Sequence, residues 1–135
     1  MKVYKTNKSK IPGTSFGEIR KNADRIFDKI KSKSKRTPYI RSKYFKKEKV
    51  FLNIFWRHLH EKNNRDKIRR LRYYACGLDL IQYSVCNPDT YDNFKHKDEL
   101  LYKFCGICKN GETFIVQIKE NKRTKRKDLI SIYPK

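Results

Sequence analysis

The apolar residues of this chain change their spacing once, and that change limits the folds open to it. Up to about residue 84 they recur at three- and four-residue steps, the period of one helix face. From Leu100 onward they alternate in twos, the period of a strand. Ser15-Phe-Gly-Glu18 fits a capping box, in which the Ser15 hydroxyl takes the Glu18 amide and the Glu18 carboxylate turns back to the start of the helix. A helix over 15–30 follows, burying Phe16, Ile19, Ala23, Ile26, Phe27 and Ile30. Tyr44, Phe45, Val50, Phe51, Ile54, Phe55 and Leu59 predict a second over 43–62. Ile68, Leu71, Ala75, Leu78 and Ile81 predict a third over 66–84, weakened at Gly77 and ended by Asn87-Pro88. Strands are expected over 100–108, 113–120 and 129–133, with Lys109-Asn110-Gly111 as a tight hairpin turn. The expected architecture is α+β: N-terminal helices packed on one face of a small C-terminal antiparallel β-meander, in a single domain over 14–135. Residues 1–13 show no apolar periodicity and contain Pro12-Gly13, which predicts a flexible basic arm.

Function is constrained by charge. The chain carries 35 Lys and Arg against 14 Asp and Glu, a formal +21. Self-repulsion at that density opposes compaction, so it points to a polyanionic partner. Nucleic acid is such a partner, because each phosphate neutralised releases condensed counterions. No apolar run approaches the ~20 residues of a membrane span, and the N-terminus has no hydrophobic stretch of the secretory kind. Four cysteines in such a chain read as free thiols of a reducing compartment, and the cytoplasm is the expected location.

Several residue groups are candidates for chemistry. By alternation, Phe114, Val116 and Ile118 face the helices, leaving Gln117 and Lys119 on the open side. If Ser131 and Tyr133 share that side, with Ile130 and Ile132 opposite, the sheet presents Lys, Gln, Ser and Tyr together. Lys103 can join them. His58 and His60 lie two apart, so one helix face shows only one of them, each a proton-transfer group near neutral pH. Arg65, Arg69, Arg70 and Arg72 form one basic cluster and Lys122, Arg123, Lys125 and Arg126 another, both candidates for phosphate contact. Tyr73 and Tyr74 beside the first are candidates for stacking on unpaired bases. Cys105-Gly-Ile-Cys108 has the spacing of a zinc knuckle, although alternation points the two thiols to opposite faces.

The runs Phe55-Trp-Arg-His58, Arg69-Arg-Leu-Arg72, Tyr102-Lys-Phe-Cys-Gly106, Gly111-Glu-Thr-Phe114, Val116-Gln-Ile-Lys-Glu120 and Leu129-Ile-Ser-Ile-Tyr-Pro134 resemble the small barnase, EndoU, colicin and RelE-like ribonucleases of the BECR group, phage- or toxin-associated. The resemblance implies a metal-independent endoribonuclease without cofactor, in which the ribose 2'-hydroxyl attacks the adjacent phosphate. His58, Lys119 and Ser131 fall where the pattern wants a helix-borne base and strand-borne polar groups; for that reaction we assign His58 as base or acid, Lys119, Arg57 and Lys103 to the phosphate, and Ser131 with Gln117 or Tyr133 as orienting or donating groups. RNA is then the partner, together with a small acidic antidote or immunity protein. His60 and the cysteines at 105 and 108 depart from the pattern. A non-catalytic RNA- or DNA-binding module is the alternative, and a zinc-stabilised interaction module a third.

Overall fold

The computed structural model describes residues 2–135. Val3–Lys5 forms strand β1, followed by helix α1 over Phe16–Ser32. The Ser15 hydroxyl accepts from the Glu18 amide at its start, while the Glu18 carboxylate accepts from Thr14. Tyr39–Ser42 and Glu48–Phe51 are strands β2 and β3. Three helices follow: α2 over Asn53–His60, α3 over Asn64–Leu71 and α4 over Tyr74–Tyr83. Strands β4 (Asp89–Asp92), β5 (Glu99–Ile107), β6 (Thr113–Asn121) and β7 (Lys127–Pro134) complete the chain.

The strands join in one seven-stranded sheet ordered β1-β5-β6-β7-β3-β2, with β4 paired to β5 beside β1. β1 runs parallel to β5 and β3 parallel to β7; the other pairings are antiparallel. This overturns the expected layout of N-terminal helices on a small antiparallel meander. The fold is a mixed α/β one in which strands dominate, the helices lie mid-chain, and β7 sits between β6 and β3.

Three local expectations change with it. The predicted 43–62 helix is instead the turn and second strand of a β2–β3 hairpin followed by the short α2, because Ile40, Ser42 and Val50 of the hairpin face inward and pairing with β7 outweighs the local helical spacing. Lys46 and Lys47 turn the hairpin at φ 55° and 67°. The predicted 66–84 helix breaks at Arg72 and Tyr73, where the chain docks residues from the expected arm: the Ile11 amide donates to the Arg72 carbonyl and the Arg72 guanidinium to the Gly13 carbonyl. That arm is strapped to the body. Ile11 is buried, the hydroxyls of Tyr4 and Thr6 both donate to Asp79, and Lys10 meets Glu112 at 2.8 Å. Its apolar residues are too sparse to show a period, so the docking was invisible in sequence.

The helices cover one face of the sheet. Phe55, Leu59, Leu71, Tyr74 and Leu80 pack there against Phe114, Val116, Ile118, Leu129 and Ile132, each large side chain contributing about 2 kcal/mol by burial. Gly77 is where α4 approaches the sheet: a Cβ there would stand 2.4 Å from the Ile132 side chain. Lys127 is sunk in the same layer, held by Glu48 at 3.0 Å and Glu120 at 3.6 Å. Among the described residues, no helix is long and apolar enough to cross a membrane.

Candidate active site

The uncovered face of the sheet carries the polar residues that strand alternation assigned to it. Lys103, Gln117 and Ser131 are direct cross-strand partners on β5, β6 and β7. The register slips between Gln117 and Ile118, which pair with Ser131 and Leu129 and leave Ile130 as an extra residue. This bulge corrects the expected alternation of β7. Leu129 and Ile132 are both in the core, and Ile130 and Ser131 between them turn to the other side.

β3 pairs with β7 only at Lys127 and Asp128; beyond that point α2 and α3 flank the strand instead. They raise a wall beside the open face, enclosing a cleft of about 350 Å³. α2 is fixed by Phe55 stacked on Tyr74 and by the Trp56 indole N–H donating to the Tyr74 hydroxyl. That anchoring turns His58 and Lys62, one helical turn apart, into the cleft, with Phe55 and Leu59 as its apolar floor. From α3 comes Arg70, whose Nη1 donates to Ser131 Oγ at 2.6 Å and whose guanidinium lies 5.4 Å from the Tyr133 ring centre. The Arg70 Nε is buried and has no hydrogen-bond partner among the described residues. Gln117 donates to the Tyr91 hydroxyl at 3.3 Å, and Lys103 lies over the Tyr91 ring. The Lys103 ammonium is held above its ordinary pKa, first by its hydrogen bond to Tyr91 and also by Tyr133, so it stays a full cation.

The cleft therefore gathers His58, Arg70, Gln117, Ser131 and Tyr133, with Lys103 beside it. It leaves out other candidates. Lys119 shares the face but its ammonium is 3.4 Å from Glu99, outside the cleft. Arg57 and His60 are exposed away from it. The arginine cluster divides: Arg65 and Arg69 face solvent, Arg69 near Asp66 at 3.9 Å, and Arg72 is the structural donor to Gly13. In the β6–β7 connection, Arg123 and Lys125 are exposed, Lys122 pairs with Asp92 at 2.9 Å, and Arg126 pairs with Asp128 at 3.3 Å. Tyr73 and Tyr74 are buried, so neither offers a stacking surface. Cys105 and Cys108 are also buried and do not converge; Cys108 lies 3.1 Å from Cys76 instead, and burial raises the pKa of both thiols in that pair. Among the described residues no three His, Cys, Asp or Glu side chains cluster to hold a metal.

Lys62 and Tyr91 escaped the sequence reading. His58 and Lys62 stand four apart on the stripe of Phe55 and Leu59, a signal that was present. Tyr91 lies in a polar segment between the third predicted helix and the first predicted strand, and only its pairing with β5 makes it a strand residue.

No protein-family model matches the chain, and no curated protein or solved structure matches it significantly.

Proposed function

We propose that this protein is a metal-independent endoribonuclease that cleaves RNA through 2'-hydroxyl attack on the adjacent phosphate. The observation that carries the reading is the cleft, where one imidazole, two cations and three hydrogen-bonding side chains meet and, among the described residues, no carboxylate lines the wall. Such a lining suits direct stabilisation of a phosphorane by the protein's own cations better than stabilisation by a held divalent ion, although Asp89 stands across from Lys103 beside the cleft.

In this reaction the ribose O2'–P bond forms, the P–O5' bond breaks, and the products end in a 2',3'-cyclic phosphate and a 5'-hydroxyl. One proton leaves O2' and another reaches O5'. His58 serves one of these transfers, its imidazole able to accept or donate. Arg70 and Lys62 hold the charge that grows on the non-bridging oxygens. The Arg70 side chain is already oriented by Ser131 and Tyr133, so little reorganisation is needed when that charge develops. Gln117 and Tyr91 orient the substrate from the sheet side, and Lys103 supplies further positive potential. Lys119 and Arg57 have no part here, since Lys119 is engaged by Glu99 and Arg57 faces away. An acidic antidote protein, implied by the ribonuclease resemblance, would complement the same cationic cleft.

The test is incubation of the purified protein with total RNA in EDTA, with fragment ends identified chemically. Discrete fragments bearing 2',3'-cyclic phosphates are expected. Absence of cleavage on all RNA offered, with tight binding retained, overturns the enzymatic reading in favour of a binding module.

A further inference from the structure

A second concave region lies on the same sheet face at its far edge. It is a groove of about 740 Å³ between the segment after α1 and the β2–β3 hairpin. Among the described residues five cations line it, Lys33, Lys35, Arg36, Lys49 and Arg126, and no acidic residue does. Elsewhere Lys10, Arg20, Lys119 and Lys122 are each paired with a carboxylate. Among the described residues of the groove, only Arg126 has an acidic partner, Asp128.

Two aromatic rings organise these charges. Tyr39 and Phe51 are cross-strand neighbours with ring centres 6.1 Å apart. Arg126 stands 4.1 Å over Phe51, and Lys49 4.6 Å over Tyr39 with Arg41 at 5.5 Å. A ring attracts a cation without cancelling its charge, so the groove keeps ordered, unneutralised positive groups beside half-buried aromatic surface. Continuity with the cleft is built into the pairing. Tyr91, Leu101, Lys119, Asp128, Phe51 and Tyr39 are successive cross-strand partners, so a single row crosses the sheet from β4 to β2. The row next to it holds Lys103, Gln117 and Ser131 of the cleft. By strand geometry the groove lies on the order of 15 Å from Ser131, a span a short oligonucleotide covers and a dinucleotide does not.

We infer that this groove is a second RNA-binding site, which holds the phosphates and stacks the bases of an unpaired strand several nucleotides from the bond placed in the cleft. The inference rests on the ribonuclease reading for its link to the cleft, whereas the groove's own charge and rings stand apart from it. Phosphate charge fits the five cations, and stacking on aromatic rings requires bases free of a complementary strand.

The experiment uses the full chain and a fluorescent 2'-O-methyl oligoribonucleotide of about twelve nucleotides, which lacks the attacking hydroxyl and reports binding whether or not the protein cleaves. The Lys35→Ala/Arg36→Ala/Lys49→Ala variant should bind at least about 10-fold more weakly, with the log–log salt slope shallower by about 2, as expected for three lost contacts to a single strand. A control removing three exposed cations of α1, Lys21→Ala/Arg25→Ala/Lys29→Ala, should lose much less. A photoreactive 4-thiouridine strand should crosslink to Tyr39 or Phe51 in the wild-type protein, independent of any variant's folding. Equal losses in groove and control variants, crosslinks confined to the cleft, or equally tight binding of the same oligonucleotide as a duplex would each overturn the inference.

Discussion

The cleft and the groove lie on one sheet face and are both cationic, yet they are built differently. In the cleft the polar side chains hold one another: Arg70 on Ser131, Gln117 on Tyr91, with Phe55, Leu59 and Ile130 enclosing them. In the groove the cations Lys33, Lys35, Arg36 and Lys49 are exposed, steadied at most by rings. A fixed, partly desolvated donor is most effective on charge that appears during a reaction. An exposed cation instead meets charge that is already present, with strength set by salt. The contrast says that the cleft should govern turnover and the groove affinity.

The most severe way to break that contrast is Arg70→Ala. It should lower the cleavage rate about 10²- to 10³-fold while changing affinity for uncleavable RNA little, as single-turnover kinetics would show. An equal loss in affinity would make the cleft another binding surface. Next is His58→Ala, expected to lose about 10²-fold in rate, with His60→Ala and Arg57→Ala close to wild type because both point away from the cleft. If His60→Ala is the silent enzyme instead, α2 presents its other face to the substrate. Deleting residues 1–11 supplies a baseline remote from both regions. Loss of β1 and of buried Ile11 should cost about 3 kcal/mol, read as a lower Tm, without favouring either rate or affinity. An unchanged Tm would show that the docked strap adds nothing. The smallest effect concerns Glu112, whose pKa is lowered by Lys10 first and Tyr73 second. A lowered folded-state pKa means its stabilisation is complete at neutral pH and disappears as pH falls through that value. The Tm gap between wild type and Glu112→Gln should therefore be small at pH 7 and close in acid. A gap that widens in acid would contradict the pairing.

Legibility followed the range of the interactions. The Ser15 cap and the β5–β6–β7 strands depend on residues near one another, and their local patterns marked them. β1, β2 and β3 were missed because what makes them strands is a partner far along the chain: Cys105 for Val3, Lys127 for Val50. Within the site, alternation placed Gln117 on the open face correctly. Ser131 reached the same face by a different route, since the bulge at Ile130 sends Leu129 inward as well as Ile132. Two apolar residues three apart in a strand were the trace of it. Lys119 was indistinguishable from a free lysine until Glu99 came beside it, and Arg70 from its three neighbours until α3 set its direction.

The parallel pairings also set a timetable for the chain. β1 leaves the ribosome about a hundred residues before β5, the strand it joins, and β3 waits for β7 over a shorter but still long stretch. Until synthesis passes residue 134, the strand at the middle of the sheet is incomplete, and with it Ser131 and Tyr133. A nascent chain therefore has neither a complete sheet nor a finished cleft while it is still emerging. Assembly of the cleft is thereby coupled to the end of this region's synthesis.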